Sequence, residues 1–371
     1  MNRLIIIGNG FDLAHDLKTS YADFINWYWD QRLNALLTES TPVTKDCLCE
    51  LRIKNTKECS SWFNFFFSTS YRDKLKGEWK YPPTEIIKGI KENTEDFSVV
   101  CSFFFDAILK SIETKGWVDI EEEYYKHLKK LQQLNVSCKS LNEQLHFLQE
   151  RLVKYLKTQT VRERIDDYYD DICYEISEED ISNEGKSRFL AYLTPGLRGA
   201  QKDWNPEHIM MLSFNYTPTL DFYKGSNIEH NFIHGTLEKP ESIIFGFGDE
   251  LDKDYKSIQE ANDNELLTNV KSVRYLEAPN YRNMLRFIES APFQVFIMGH
   301  SCGLSDRTLL NTIFEHKNCI SIKPFYYQKE DGTDNYLELV QNISRNFTDM
   351  KLFRDRVVNK EQCECMCQKN N

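Results

Sequence analysis

The chain has 371 residues, enough to bury a large core as one domain with an insertion or as two domains. A formal net charge of −11 and a pI near 5.4 would on the whole repel a DNA or RNA backbone, and no dense Lys/Arg run overrides that balance. An aromatic content of 13% argues against disorder outside the termini, and no apolar run reaches the roughly 18 residues of a membrane span, so a cytoplasmic protein with no leader is expected.

The chain opens on a strand. Residues 4–7, Leu-Ile-Ile-Ile, are apolar without polar alternation, which is how a central strand buried on both faces of a parallel sheet reads. Gly8-Asn9-Gly10 follows at once. Two glycines flanking one residue let the chain turn tightly and bring bare backbone N–H groups to a phosphate, so Gly8, Asn9 and Gly10, with Asp12 just beyond, are candidate nucleotide ligands. The third glycine of G-x-G-x-x-G is missing, since position 13 is Leu13, and a tight turn with no ligand remains the alternative. Thr19 and Ser20 are good N-caps for the helix that follows, leaving a loop over residues 12–18 able to close on a ligand.

Residues 36–204 read as a helical insertion between two parts of a nucleotide-binding domain, 1–35 and 205–355. Leu128, Leu131, Leu134, Leu141, Leu145 and Leu148 recur at helical spacing, the apolar stripe of one or two amphipathic helices. Glu121, Glu122 and Glu123, just before that stripe, are read as charge stabilising a helix start rather than as a catalytic carboxylate. Pro195, Gly196 and Gly199 mark the return to the sheet. Eleven cysteines, mostly single within apolar stretches, suit reduced thiols. The terminal segment 356–371 reads as a flexible tail; its Cys363, Cys365 and Cys367 lack the C-x-x-C knuckle of a metal site, and no metal is expected.

Strand grammar returns after Pro206, with runs at 208–214, 231–233, 242–245, 293–298 and 319–322. Four of them end in a polar or glycine tip: Asn215, His234-Gly235, Gly246 and Gly299. Helices near 306–316 and 334–346 fit the crossovers of a parallel sheet, whose ligands bind outside the carboxyl ends of the strands. Asn215 offers both a donor and an acceptor and His234 titrates near neutrality, so the pair can orient a ribose or a water and take its proton. Taken singly, each is equally a turn cap and a satisfied histidine.

Gly299-His300-Ser301-Cys302-Gly303 is a literal G-x-S-x-G between strand and helix, the setting of a serine-hydrolase elbow. The only histidine after Ser301 is His316, within the helix leaving that elbow, so a triad does not close. Gly299 and Ser301 are instead read as a second turn holding phosphate or ribose, with Asp306 as helix cap or ribose ligand.

Together, Gly8-Asn9-Gly10-Phe11-Asp12, Lys18-Thr19-Ser20-Tyr21, Trp117-Val118-Asp119-Ile120-Glu121, Ser213-Phe214-Asn215-Tyr216-Thr217, Ile233-His234-Gly235 and the Gly299 to Asp306 loop resemble the AbiH family of bacteriophage abortive-infection proteins over nearly the whole chain. More distantly they resemble the sirtuin-type NAD-binding fold of anti-phage NAD hydrolases. That likeness implies a Rossmann-like, mostly parallel α/β sheet, NAD as substrate, and His234 and Asn215 as the catalytic pair. It departs at Phe214 and Thr217, where sirtuins carry Gln and Asp, and it lacks the paired C-x-x-C of their zinc module, so cleavage is implied over deacylation. Asp12, without an Arg or Lys in the turn, leans towards NAD over NADP. The partners implied are a nucleotide, a phage-encoded trigger and another copy of the chain; the alternative function is a non-catalytic nucleotide sensor.

Overall fold

The computed structural model describes residues 1–38, 42–54, 79–115, 118–161, 163–192, 204–329 and 331–366. Trp117, Pro195, Gly196, Gly199 and Cys367 lie outside the described residues. The chain divides into two compact units, Met1–Lys18 with Leu156–Asn371, and Thr19–Tyr155.

The first unit begins with β1 (Asn2–Ile7), every residue of which is buried, and α1 (Asn9–Ala14). The second opens with α2 (Tyr21–Thr38), where Asp23 N–H donates to Ser20 Oγ at 3.1 Å, the capping expected of that serine. It continues through β2 (Val43–Lys45), β3 (Cys49–Ile53), α3 (Pro83–Glu92), β4 (Phe97–Cys101), α4 (Phe103–Lys115), α5 (Ile120–Gln133) and α6 (Lys139–Leu156). β2, β3 and β4 form an antiparallel three-stranded sheet, so the insertion is not purely helical. Leu128, Leu141, Leu145, Leu148 and Leu152 on α5 and α6 are buried as their spacing predicts, whereas Leu134, one residue past α5, is exposed. Asp119 caps α5 by accepting from Glu122 N–H, and Glu122 and Glu123 pair with Lys126.

Back in the first unit come α7 (Asp166–Cys173), α8 (Asn183–Tyr192), β5 (Ile209–Ser213), β6 (Ile228–Phe232), α9 (Asn280–Ser290), β7 (Phe293–Met298), α10 (Arg307–Phe314), β8 (Cys319–Phe325), α11 (Tyr336–Arg345) and α12 (Met350–Arg356). The sheet is five-stranded, parallel throughout, in the order β6-β5-β1-β7-β8. β1 sits at its centre, pairing Ile7 with Ser213 on one side and with Met298 on the other. Its side chains alternate between two cores: Leu4 and Ile6 join α9, α10 and α11 residues such as Met284, Leu310 and Leu339, while Ile5 and Ile7 join Phe11 of α1 and Tyr168 and Ile172 of α7.

Two readings of the chain change here. The apolar run 242–245 is buried but forms no strand; Ile244 N–H bonds to His234 O and Phe247 N–H to Asn269 O, because Pro240, Gly246 and Gly248 break a regular ladder. The segment after Arg356 is not a free tail as far as Met366: Val358 N–H donates to Ile322 O, Tyr326 N–H to Glu364 O, and Met366 N–H to Tyr326 O, a strap along the outer edge of β8. Among the described residues every cysteine is a free thiol, and no helix is long and apolar enough to cross a membrane.

Candidate functional site

The carboxyl ends of β6, β5, β1 and β7 stand side by side, so His234, Asn215, the Gly8 turn and the Gly299 loop come to one end of the sheet. Steric facts then decide how the loops meet. A Cβ on Gly8 would lie 2.5 Å from His300 Cα, one on Gly10 2.8 Å from Gly299 Cα, and one on Gly299 2.1 Å from Phe11 N. The glycines let the β1 and β7 loops pack backbone against backbone. Gly8 N–H donates to Met298 O at 3.2 Å and Gly10 N–H to Gly299 O at 2.8 Å. Those amides are therefore paired, which corrects the expectation that they stand bare for a phosphate.

Asp12 is also placed differently from the sequence reading. Residues 12–14 belong to α1 instead of a closing loop, and the buried Asp12 carboxylate accepts from Thr217 Oγ1 and Thr219 Oγ1, each at 2.6 Å. Burial pushes its carboxyl up to about 6, against the pull of those two bonds. Asn215 makes the matching bracket to β1: its Nδ2 donates to Gly8 O at 3.0 Å.

The charged centre is Asp306, at the turn into α10. Lys271 Nζ donates to its Oδ1 at 2.8 Å, His234 Nε2 lies 3.3 Å from the same oxygen, and His300 Nε2 lies 3.7 Å from Oδ2. All four residues are buried, Lys271 completely. Burial would push the Asp306 carboxyl up, but the Lys271 ammonium together with the two imidazoles holds it well below the ordinary range, so it is ionised. His234 is driven the other way, its pKa lowered by burial and by Lys271, and stays neutral. His234 Nε2 also faces the Tyr275 hydroxyl at 3.1 Å. His300 has its Nδ1 fixed as acceptor by Cys302 N–H at 3.0 Å, which leaves Nε2 as the protonated nitrogen directed at Asp306. Lys271 and Tyr275 carried no sequence signal, and His300 stood in the glycine-serine motif without being singled out.

Beside the crossing loops opens a cleft of about 450 Å³. Gly10, Gly299, His300 and Ser301 border it, Phe325 and Tyr327 come from the end of β8, and Glu338 and Asn342 from α11. Asn215, His234 and Asp306 do not line it; His300, which does, lies 3.7 Å from Asp306. Asn342 Nδ2 donates to Ser301 O and Asn346 Nδ2 to Cys302 O, fixing the β7 loop to the α11 segment. Cys302 takes a left-handed φ of 53° and its thiol is raised by burial, so it is no nucleophile. His316 packs its ring 5.9 Å from that of Phe293, at the opposite end of β7 from Ser301, and a hydrolase triad cannot form. Among the described residues no His, Cys, Asp or Glu group is arranged to hold a metal ion.

A family model described as bacteriophage abortive infection AbiH matches residues 4–327, most of the chain. No curated protein and no solved structure matches it.

Proposed function

The chain belongs to the AbiH family of bacteriophage abortive infection proteins, and we propose that it serves that role by binding NAD in the cleft at the sheet's carboxyl end and hydrolysing its N-glycosidic bond. One observation carries the reading: from one edge to the other the sheet runs third, second, first, fourth, fifth in chain order, the order of a dinucleotide-binding sheet, and the cleft lies where that order reverses, at the tips of β1 and β7. Behind the cleft, a buried ionised carboxylate and a neutral histidine are the perturbed pair that acid–base chemistry uses. As nicotinamide leaves, positive charge grows at the ribose carbon, and the Asp306 carboxylate stabilises it. With Nε2 turned to Asp306 and Tyr275, His234 would take the proton of the attacking water at Nδ1. For the ribose to reach it, the His300 side chain must yield when substrate binds. NAD depletion would then halt phage production, after activation by a phage-encoded trigger.

A second reading, a nucleotide sensor without turnover, is favoured by the engagement of both His300 nitrogens and of the Gly8 and Gly10 amides. Incubating the protein with NAD, with and without phage lysate, and measuring nicotinamide and ADP-ribose separates the two. His234→Ala should cut turnover roughly 10² to 10⁴-fold and leave NAD affinity nearly unchanged; because it empties a buried position and takes a partner from Asp306 and Tyr275, it also lowers the melting temperature, so turnover is compared where the variant is still folded. NAD binding with no cleavage under either condition selects the sensor.

A further inference from the structure

The cleft carries a charge pattern that the hydrolysis reading leaves unused. Glu338 is the one charged side chain among its described lining residues, and it is exposed on α11 with no ion pair among those residues. The wall around it is aromatic and aliphatic, from Phe325, Tyr327, Leu339 and Met366. An uncompensated carboxylate on such a wall, in a chain of net charge −11, disfavours a phosphate there and favours a flat cation. Further along the same helix, Arg345 is exposed and its Nη1 donates to Asn342 Oδ1, while Asn342 itself lines the cleft. Positions 338, 342 and 345 follow the i, i+4, i+7 spacing of one helical face, and the helical rise separates Glu338 from Arg345 by roughly 10 Å along the axis. A nucleoside 5′-phosphate can bridge that length.

We infer that α11 reads a nucleotide by its two ends: Glu338 faces a positively charged pyridinium ring, and Arg345, bonded to the cleft-lining Asn342, meets the 5′-phosphate. The ligand class is thus an oxidised pyridine mononucleotide or the corresponding half of a dinucleotide. Its reduced form, whose ring is neutral, loses the attraction to Glu338. This rests on the nucleotide reading above and narrows its substrate.

The test is calorimetric titration of the full chain with oxidised nicotinamide mononucleotide, its reduced form and AMP. The oxidised form should bind about tenfold more tightly than the reduced one, the order expected for one partly solvated charge pair. Glu338→Gln, on an exposed helical face, should remove that ratio without weakening the reduced form, and Arg345→Gln should weaken both forms alike and leave the ratio standing. Equal binding of the two forms by the unaltered protein, or a ratio that survives Glu338→Gln, overturns the inference while nucleotide binding itself stands. Failure of all three compounds to bind overturns the nucleotide reading together with it.

Discussion

Asp306 holds a charge where a carboxylate alone would stay protonated, and Lys271, fully buried 2.8 Å away, is the main reason. Removing one partner of such a pair strands the other. Lys271→Met should cost about 3–5 kcal/mol in urea unfolding, and adding Asp306→Asn should recover much of the loss. Asp12 behaves oppositely. Its folded-state pKa, about 6, lies above the ordinary 3.8, so the folded protein holds this proton more tightly than the unfolded chain does. The stability from that proton is fully present below the unfolded pKa and is lost as pH rises through about 6. Unfolding measured at pH 7.5 and pH 5.5 should therefore show the wild type gaining on Asp12→Asn as pH falls, by somewhat under about 1 kcal/mol. An unchanged difference between the two proteins would contradict this. At this scale the sequence was partly legible. Asn215 and His234 stood out because they follow strands and Asp306 because it starts a helix after the glycine-serine loop, and the structure brings them to one end of the sheet. Lys271 did not, because nothing around Val270 and Ser272 distinguishes a buried lysine from a surface one.

Among the elements, the crossing of the β1 and β7 loops sets a tight constraint. Gly299 combines a φ of +73° with a missing Cβ that would meet Phe11 N at 2.1 Å. Gly332, at φ +81°, has nothing within 4 Å of the same position. Replacing Gly332 by Ala should cost only the backbone term, about 1–2 kcal/mol, whereas Gly299→Ala should cost clearly more than that, because two main chains must also separate. Thermal unfolding of the two variants side by side reads the difference. β1 and β5 were legible because a strand buried on both faces has a near-continuous apolar run, and β7 and β8 because their runs are broken only by the buried Gln294 and by Ser321 and Lys323. The 242–245 run imitates one, since burial without regular pairing leaves the same trace in sequence. β3 was missed for the converse reason: Cys49, Leu51 and Ile53 alternate with Glu50 and Arg52, the trace of a short half-buried strand inside a region dominated by helical periodicity.

At the scale of the molecule, the Thr19–Tyr155 unit carries its own core, with Trp29 packed edge-on to Tyr28 and tilted against Phe105, and with Leu128, Leu145 and Leu148 buried. Expressed alone, residues 19–155 should give a cooperative melt and a helical circular dichroism spectrum; a non-cooperative transition would mean that this core is incomplete. The boundaries of the unit were hard to read because α2, which opens it, continues the aromatic-rich pattern of the chain's start, and because α7 and α8 are helical yet belong with the sheet.

The position of β1 also bears on how the protein is made. The strand synthesised first is the one at the centre, and its neighbours β5 and β7 begin only at Ile209 and Phe293. About 200 residues must follow Ile7 before the first of its edges can be paired, which at roughly 5–20 residues per second amounts to about 10 to 40 s of translation. During that interval the most apolar strand of the sheet is a nascent segment with both edges open, while Thr19–Tyr155 can already fold downstream of it. Yield in the cell is accordingly set by how well that delay is guarded against aggregation, and slowing synthesis or limiting chaperones should lower soluble protein before any change in the finished fold is felt.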